Sequence, residues 1–135
     1  MTQALHSVDI LIAHEGQSTS LLMAERLSEA GYRVARAHQL DQGFDLLYRQ
    51  KPQMVLVSAR MPERGALKLA MAAKARGAKL LVLDNPDSPH ETTPSIRAFT
   101  DARFLRRRHS RSGMIAAAVA LIGPAGAEPD TAAAA

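Results

Sequence analysis

Polar and charged side chains follow four short apolar segments of the chain, where a sheet would place them along one edge. The five residues at these points are His14, Glu15, Ser58, Asp84 and Arg107. A carboxylate is a ligand for a hard divalent cation, and a guanidinium binds phosphoryl oxygens. These residue types therefore mark a candidate site, provided that the surrounding elements bring them together.

The chain has 135 residues, enough for one domain, and its 47% apolar and 22% charged residues are typical of a globular protein. It has no cysteine, which excludes thiol catalysis and cysteine-ligated metal sites. The net charge of +4 suits acidic partners or plain solubility equally well. No stretch resembles a signal peptide or a membrane span, so we expect a cytoplasmic protein.

Three short, nearly continuous apolar runs, residues 8–13, 54–57 and 80–83, are typical of parallel strands buried on both faces. Residues 32–37 alternate and predict a strand near an edge, and residues 103–105 predict a brief fifth strand. Because parallel strands end at the same edge, the five candidate site residues should lie there together.

Helical periodicity fills the gaps between the predicted strands. The four predicted stripes are Met23, Ala24, Leu27 and Ala30; Leu40, Phe44, Leu47 and Tyr48; Leu67, Ala70, Met71 and Lys74; and Met114, Ile115, Ala118, Val119 and Ile122. Three prolines interrupt residues 85–100, so the fourth helix should be short or irregular, with Pro94 at its first position. This alternation predicts a single doubly wound α/β domain over residues 8–123, after an N-terminal segment (1–7) and before a disordered tail (124–135).

Several segments resemble the receiver domain of response regulators, the CheY-like family. They are residues 10–15 (ILIAHE), 31–34 (GYRV), 52–62 (PQMVLVSARMP), 80–83 (LLVL) and 104–105 (FL), the third being the most specific. The resemblance covers the whole predicted domain. It implies a flavodoxin-like, five-stranded parallel sheet with strand order 2-1-3-4-5.

The resemblance also implies which chemistry the candidate site has lost. In the family, two acidic residues and a phosphoacceptor Asp hold Mg²⁺, while a hydroxyl and a Lys contact the phosphoryl group. Here those positions read His14 and Glu15, Ser58, Asp84 and Arg107, so one of three metal carboxylates remains. We therefore expect a pseudo-receiver that lacks the phosphoacceptor Asp and binds neither metal nor cofactor. We also expect that it is not an enzyme, since no nucleophile and base assemble.

Two arrangements of the altered site stay open. Asp84 and Arg107 form a charge-assisted pair across the pocket, or Arg107 is solvated. A transition-metal site at His14 and Glu15, completed by His90 and Glu91, is disfavoured because nothing in the spacing requires it.

The strongest charge feature is a basic cluster formed by Arg103, Arg106, Arg107, Arg108, His109 and Arg111. A nucleic-acid site is disfavoured, because no recognition helix follows and no aromatic residues are interleaved. A solvated face is the simplest interpretation, and a contact with an acidic protein is the one we favour over nucleic acid. The candidate partner-binding residues are Arg103, Phe104, Arg106, Arg108 and Arg111. Phe104 matches the family's rotamer-switching aromatic and should here be fixed, either in the core, which we favour, or at a contact.

The sequence thus favours a stand-alone pseudo-receiver that acts in bacterial signal transduction by docking, independently of phosphorylation. Its partner would be a signalling kinase, a regulator or another protein with an acidic surface, with the chain itself a monomer or weak homodimer and without a membrane contact. One alternative is an atypical receiver that is still phosphorylated, or gated by a ligand, at the pocket around Ser58. Another is nucleic-acid binding through Arg103–Arg111.

Overall fold

The computed structural model describes residues 8–126, which form a parallel sheet of five strands with helices on both faces. In chain order the strands are β1 (Ile10–Ala13), β2 (Val34–Ala37), β3 (Met54–Ser58), β4 (Lys79–Asp84) and β5 (Arg103–Arg106). They pair in the order β2-β1-β3-β4-β5, and every pairing is parallel. The predicted sheet and its strand order are confirmed.

A helix follows each strand. The helices are α1 (Gln17–Glu29), α2 (Leu40–Gln50), α3 (Gly65–Ala75), α4 (Thr93–Phe99) and α5 (Arg111–Ile122). The fourth is short, as predicted, with seven residues and Pro94 in its first turn. Gly31, which closes the first helical segment, has φ +103°, a left-handed conformation that a side chain at this position would disfavour.

Alternating strand residues feed two separate apolar cores. Leu11 and Val55 pack on the side of α2, α3 and α4, whereas Ile12 and Leu56 pack on the side of α1 and α5. The central strands β1 and β3 are fully buried on both faces, which explains their nearly continuous apolar sequence.

In two helices one large residue of the predicted apolar stripe is exposed, although Ala70 of α3 and Met114 and Ala118 of α5 are buried as predicted. In α3 the buried residues include Ala66, Leu69 and Ala73, whereas Met71 is 43% exposed. In α5 Ala117 is buried and Val119 is exposed. Small side chains let a helix approach the sheet closely, so alanines fill the close contacts and larger residues are displaced outward.

An ion pair closes the amino edge of the sheet, opposite the candidate site. The carboxylate of Asp9 accepts hydrogen bonds from the Arg33 backbone N–H at 2.8 Å, from Arg33 Nη2 at 2.9 Å and from Gln53 Nε2 at 3.2 Å. Burial raises the pKa of Asp9, but the Arg33 hydrogen bonds and charge outweigh it, so this pKa lies below its ordinary value of 3.8. Asp9 thereby joins the starts of β1, β2 and β3.

The described chain extends slightly past the predicted domain end. Residues 124–126 form a turn, and Ala125 packs against the core beside α1 and α5. The N-terminal segment 1–7 and residues 127–135 of the predicted tail lie outside the described residues. Between residues 8 and 126, no helix has the length and apolar character needed to cross a bilayer.

Candidate functional site

The carboxyl edge of the sheet brings the five predicted site residues to one place. His14 and Glu15 follow β1, Ser58 ends β3, Asp84 ends β4 and Arg107 follows β5. The predicted juxtaposition of these residues is thus observed, but the contacts among them differ from those we considered.

Arg107 lies at the centre of the site and bridges two strands. Its Nη1 donates to Ser58 Oγ at 2.5 Å, and its Nη2 donates to Glu15 Oε2 at 3.0 Å. The backbone N–H of Arg60 also donates to Ser58 Oγ, at 3.2 Å. Arg107 and Glu15 are 26% and 30% exposed, so the pair is only partly screened by solvent. One side chain thus ties the ends of β1, β3 and β5 together.

The suggested pair between Asp84 and Arg107 does not form, and this interpretation is wrong. The carboxylate of Asp84 instead accepts hydrogen bonds from Thr93 Oγ1 at 2.5 Å, the Asn85 N–H at 2.8 Å and the His90 N–H at 3.2 Å. The loop after β4 offers Asp84 three close donors, while Glu15 and Ser58 offer Arg107 both of its acceptors. The alternative of a solvated Arg107 is wrong for the same reason.

His14 is buried and accepts a hydrogen bond rather than donating one at Nδ1. The backbone N–H of Gly16 donates to His14 Nδ1 at 2.9 Å, which requires that nitrogen to be unprotonated. Burial lowers the pKa of His14 below 6.5; the Glu15 carboxylate opposes this shift, and the charges of Arg107, His38 and His109 add to it. His14 is therefore a neutral imidazole at physiological pH.

Glu15 remains ionised despite its partial burial. Burial raises its pKa, but hydrogen bonds from the Ser58 hydroxyl and its own backbone amide, together with the charge of Arg107, bring the pKa below 4.5. Its Oε1 is buried, has no hydrogen-bond partner among the described residues and lies 3.5 Å from His14 Nδ1. Only Oε2 is held by Arg107.

The donor set does not fit the Mg²⁺ ion that the family resemblance would imply. A hard divalent cation needs several free oxygen ligands, and here a guanidinium already occupies Ser58 Oγ and Glu15 Oε2. No group of three metal-ligating side chains occurs among residues 8–126. His90, considered in a metal site, contacts Thr92 Oγ1 through its Nδ1 at 2.9 Å.

The basic cluster does not form one continuous face. Arg107 points into the site, and Arg111 pairs with Glu29 of α1 at 3.0 Å. Arg103 is exposed on β5. Arg106 and Arg108 line a cleft of about 590 Å³ above the site, together with His14, Thr19, Arg60, Asn85, Pro86, Asp87 and Arg107. We call this space the arginine cleft.

Phe104 lies at the border between the core and the surface. It is partly buried against the core on the α2–α4 side, and the guanidinium of Arg97 stacks 3.9 Å from its ring centroid. The prediction of a core position is therefore only half correct. Phe104 also lines a second cavity of about 290 Å³, the α4–β5 groove, with Asp84, Pro86, Pro89, Thr93, Arg97, Leu105 and Arg106.

Two residues of the site were missed in the sequence. Arg60 stands two positions after Ser58 and lines the arginine cleft, a place that its spacing from the end of β3 could have indicated. Thr93 holds Asp84 across nine positions of a proline-rich loop, and no periodicity or motif marks it.

Comparison with solved structures identifies the architecture. No protein-family model matches the sequence, and no curated protein matches it. The receiver domain of a sensor histidine kinase from Pseudomonas aeruginosa PAO1, which has magnesium coordinated in its active-site cleft, has a TM-score of 0.73 to this chain. The two are 17% identical, with 87% of this chain and 98% of that domain covered.

A response regulator receiver domain protein from Clostridium thermocellum has a TM-score of 0.74 at 13% identity, with 85% of this chain and 94% of that protein covered. The chemotaxis protein CheY4 of Vibrio cholerae has a TM-score of 0.72 at 15% identity, with 84% and 98% covered. The chain has the receiver fold. At these identities the likeness extends to the fold, so the chemistry of this receiver-fold chain has to be argued from its own residues.

Proposed function

We propose that this receiver-fold chain is a bacterial signalling module that docks to a protein partner without being phosphorylated. The observation that carries the proposal is the position of Arg107, whose guanidinium lies on both Ser58 Oγ and Glu15 Oε2. A phosphoryl group and its metal would need the space and the oxygen atoms that this side chain holds.

Ser58 is poorly placed to act as a phosphoacceptor in place of Asp. It is fully buried, and its hydroxyl oxygen already accepts hydrogen bonds from Arg107 and the Arg60 N–H. The Arg107 guanidinium cannot take up the hydroxyl proton, because it carries only N–H donors and no acceptor. The same reasoning supports our inference that the chain is not an enzyme.

The Arg107 contacts also argue against a two-state switch. They join β1, β3 and β5 at their carboxyl ends, and separate hydrogen bonds from the β4–α4 loop hold Asp84. Without a phosphoryl group that stabilises a second conformation, the conformational population is not shifted away from the one observed. We infer that the module signals by being present and bound rather than by changing shape.

The α4–β5 groove is the surface that best suits a protein partner. Phe104, Leu105 and Pro89 give it an apolar lining, and Arg97 and Arg106 add positive charge. Arg103 is exposed nearby on β5. An acidic segment carrying one apolar side chain would match both properties, with the charges accelerating association. A signalling kinase or a regulator with such a segment is the kind of partner we propose.

Phosphotransfer from a small-molecule donor tests the first half of the proposal. The chain is incubated with acetyl phosphate and Mg²⁺, and its mass is measured by intact-protein mass spectrometry. We expect no added phosphoryl group, whereas incorporation that is lost in Ser58→Ala would overturn the proposal. The double variant Ser58→Asp, Arg107→Lys is the matched comparison, since it returns a carboxylate and an ammonium to two of the four altered positions.

Docking is tested with a partner captured from lysate of the source cells and then purified. Phe104→Ala and Arg97→Glu should each weaken binding of that partner, because the first removes an apolar contact and the second reverses a charge. Lys68→Glu is the matched control, since Lys68 is exposed on α3, away from the groove. Equal weakening by the control and Arg97→Glu would show that net charge, not the groove, decides binding.

A further inference from the structure

We propose that the arginine cleft binds a small molecule carrying phosphate groups, noncovalently and without a metal ion. The ligand class is a phosphorylated metabolite or a free oligophosphate with at least two negative charges. The cleft adjoins the docking groove and shares Pro86 and Arg106 with it. The proposal does not depend on the proposed function, because it is argued from the charges of the cleft alone.

The charge balance of the cleft favours a dianion. Arg60, Arg106 and Arg108 are exposed and form no ion pair within residues 8–126. The charge of Arg107 is offset by Glu15, which it contacts. The lining itself includes one carboxylate, Asp87, so three arginines face one acid and an excess of two positive charges remains.

Asp84, which precedes the cleft residue Asn85 in the chain, is directed to other partners. The Asp84 carboxylate accepts hydrogen bonds from Thr93 Oγ1, the Asn85 N–H and the His90 N–H, and is absent from the lining of the cleft. Like charges confined in a concave space raise the local potential and attract counter-ions. An anion is therefore the complement that this cleft lacks.

The three free arginines come from two strand ends, which gives the cleft a defined shape. Arg60 follows β3, Arg106 is the last residue of β5 and Arg108 lies two positions further on. Each planar guanidinium can donate two parallel hydrogen bonds to phosphate oxygens. Arginines that converge from separate strand ends can hold separate phosphate groups.

Helix α1 adds to the attraction for an anion. Thr19 in its first turn lines the cleft, and that turn contains no acidic residue. The partial positive charge at the start of this 13-residue helix is therefore not offset by a carboxylate within it. The Thr19 hydroxyl supplies a further donor at the same end of the cleft.

The size and polarity of the cleft limit the ligand. A volume of about 590 Å³ lies in the range that accepts small molecules. The lining is mostly charged and polar, with Pro86 as its one apolar side chain. The cleft thus suits a compact phosphate ester or oligophosphate better than an apolar compound.

Titration of the full chain with pyrophosphate tests this proposal by amide NMR, at constant ionic strength and with a chelator present. We expect saturable shifts at Asn85, Asp87 and Arg108. Arg60→Gln and Arg108→Gln should each weaken binding about tenfold, the loss of one charge-assisted hydrogen bond. Arg103→Gln is the matched control, because Arg103 is exposed but does not line the cleft, and it should bind as the parent does.

Three results would overturn the proposal. The first is chemical shifts that do not saturate, or binding that Arg103→Gln weakens as much as Arg60→Gln does. Either would indicate plain charge attraction. Another is binding that appears only when Mg²⁺ replaces the chelator. The third is binding of a single-stranded oligonucleotide that pyrophosphate does not displace, which would make the surface a nucleic-acid site. Since both test positions are exposed, thermal unfolding should confirm that the variants remain folded.

Discussion

Arg107 and Glu15 are 92 positions apart in the chain, yet Arg107 Nη2 lies 3.0 Å from Glu15 Oε2. The contact exists because β1 and β5 end at the same edge of the sheet, with β3 and β4 between them. It places a fixed cation where a receiver that accepts phosphate needs a free carboxylate. The consequences for stability, pH dependence and ligand binding can each be measured.

The coupling between these two residues should exceed that of a surface ion pair. A double-mutant cycle with Arg107→Met and Glu15→Gln should give a coupling free energy of about 1–2 kcal/mol, since the two are mutually bonded and partly buried. Urea unfolding of the parent, both single variants and the double variant measures it.

The pair between Arg111 and Glu29 is the matched control for that cycle. Its atoms are also 3.0 Å apart, but the side chains are 55% and 62% exposed. Solvent and salt screen such a pair, so its coupling should be no more than ~0.5 kcal/mol. Equal coupling in the two cycles would mean that Arg107 and Glu15 do no more than a surface pair does.

The hydroxyl of Thr93 should hold the β4–α4 loop through Asp84. Thr93→Val removes the 2.5 Å hydrogen bond to Asp84 Oδ2 and should destabilise the fold by about 1–3 kcal/mol, because a buried acceptor loses a donor. Hydrogen exchange at the His90 amide, which also donates to Asp84, should become faster.

Exchange at the Leu56 amide, in the centre of β3, is the control for that experiment. If it accelerates as much as exchange at His90 does, Thr93 stabilises the whole fold and not the loop. Ser95→Ala, also on α4 but without a contact to Asp84, should leave both rates unchanged.

His14 should make the protein less stable as the pH falls below about 6.5. Its folded pKa is lowered by burial, so between that pKa and the ordinary value of 6.5 the unfolded chain binds more protons than the folded one. Stability is therefore complete above pH 6.5 and declines below it. The imidazole carbon shifts of His14 report its titration directly, and a midpoint at or above 6.5 would contradict the account. His14→Gln should remove this part of the pH dependence.

Asp9 acts with the same sign in a more acidic range. Its folded pKa is below 3.8, so the Arg33 ion pair contributes stability that is complete above pH 3.8 and is lost as the pH falls through the lowered value. Asp9→Asn should cost about 1–3 kcal/mol at neutral pH and flatten the acid limb of the unfolding curve. Asp45→Asn, which removes an exposed pair with Arg49 on α2, should change stability by ~0.5 kcal/mol or less.

The sheet could be predicted from the sequence because strands buried on both faces, such as β1, β3 and β4, have nearly continuous apolar sequences. Their residues are apolar at nearly every position, and a parallel sheet brings their ends together. The helix faces were harder to predict. Met71 and Val119 follow an apolar period but are exposed, because neighbouring alanines fit the close approach of α3 and α5 to the sheet.

Side-chain pairing within the site could not be predicted from positions alone. Two carboxylates, Glu15 after β1 and Asp84 at the end of β4, could each pair with Arg107. Their charges alone do not show which of them is already bound by other hydrogen-bond donors. The choice depends on the β4–α4 loop, where Thr93 and the amides of Asn85 and His90 already satisfy Asp84. That loop has two prolines, Pro86 and Pro89, and no period from which its path could be derived.

The most direct test of the central claim is an NMR titration of the full chain with Mg²⁺, followed by beryllofluoride as a mimic of an aspartyl phosphate. The signals to follow are the Arg107 side-chain Nε–H and the amides of Glu15 and Ser58. We predict that none of them shifts in a saturable way, because Arg107 keeps its hold on both oxygen ligands. Saturable shifts that reach Phe104 would show that the site still accepts the ion and transmits its binding, and the account would be wrong.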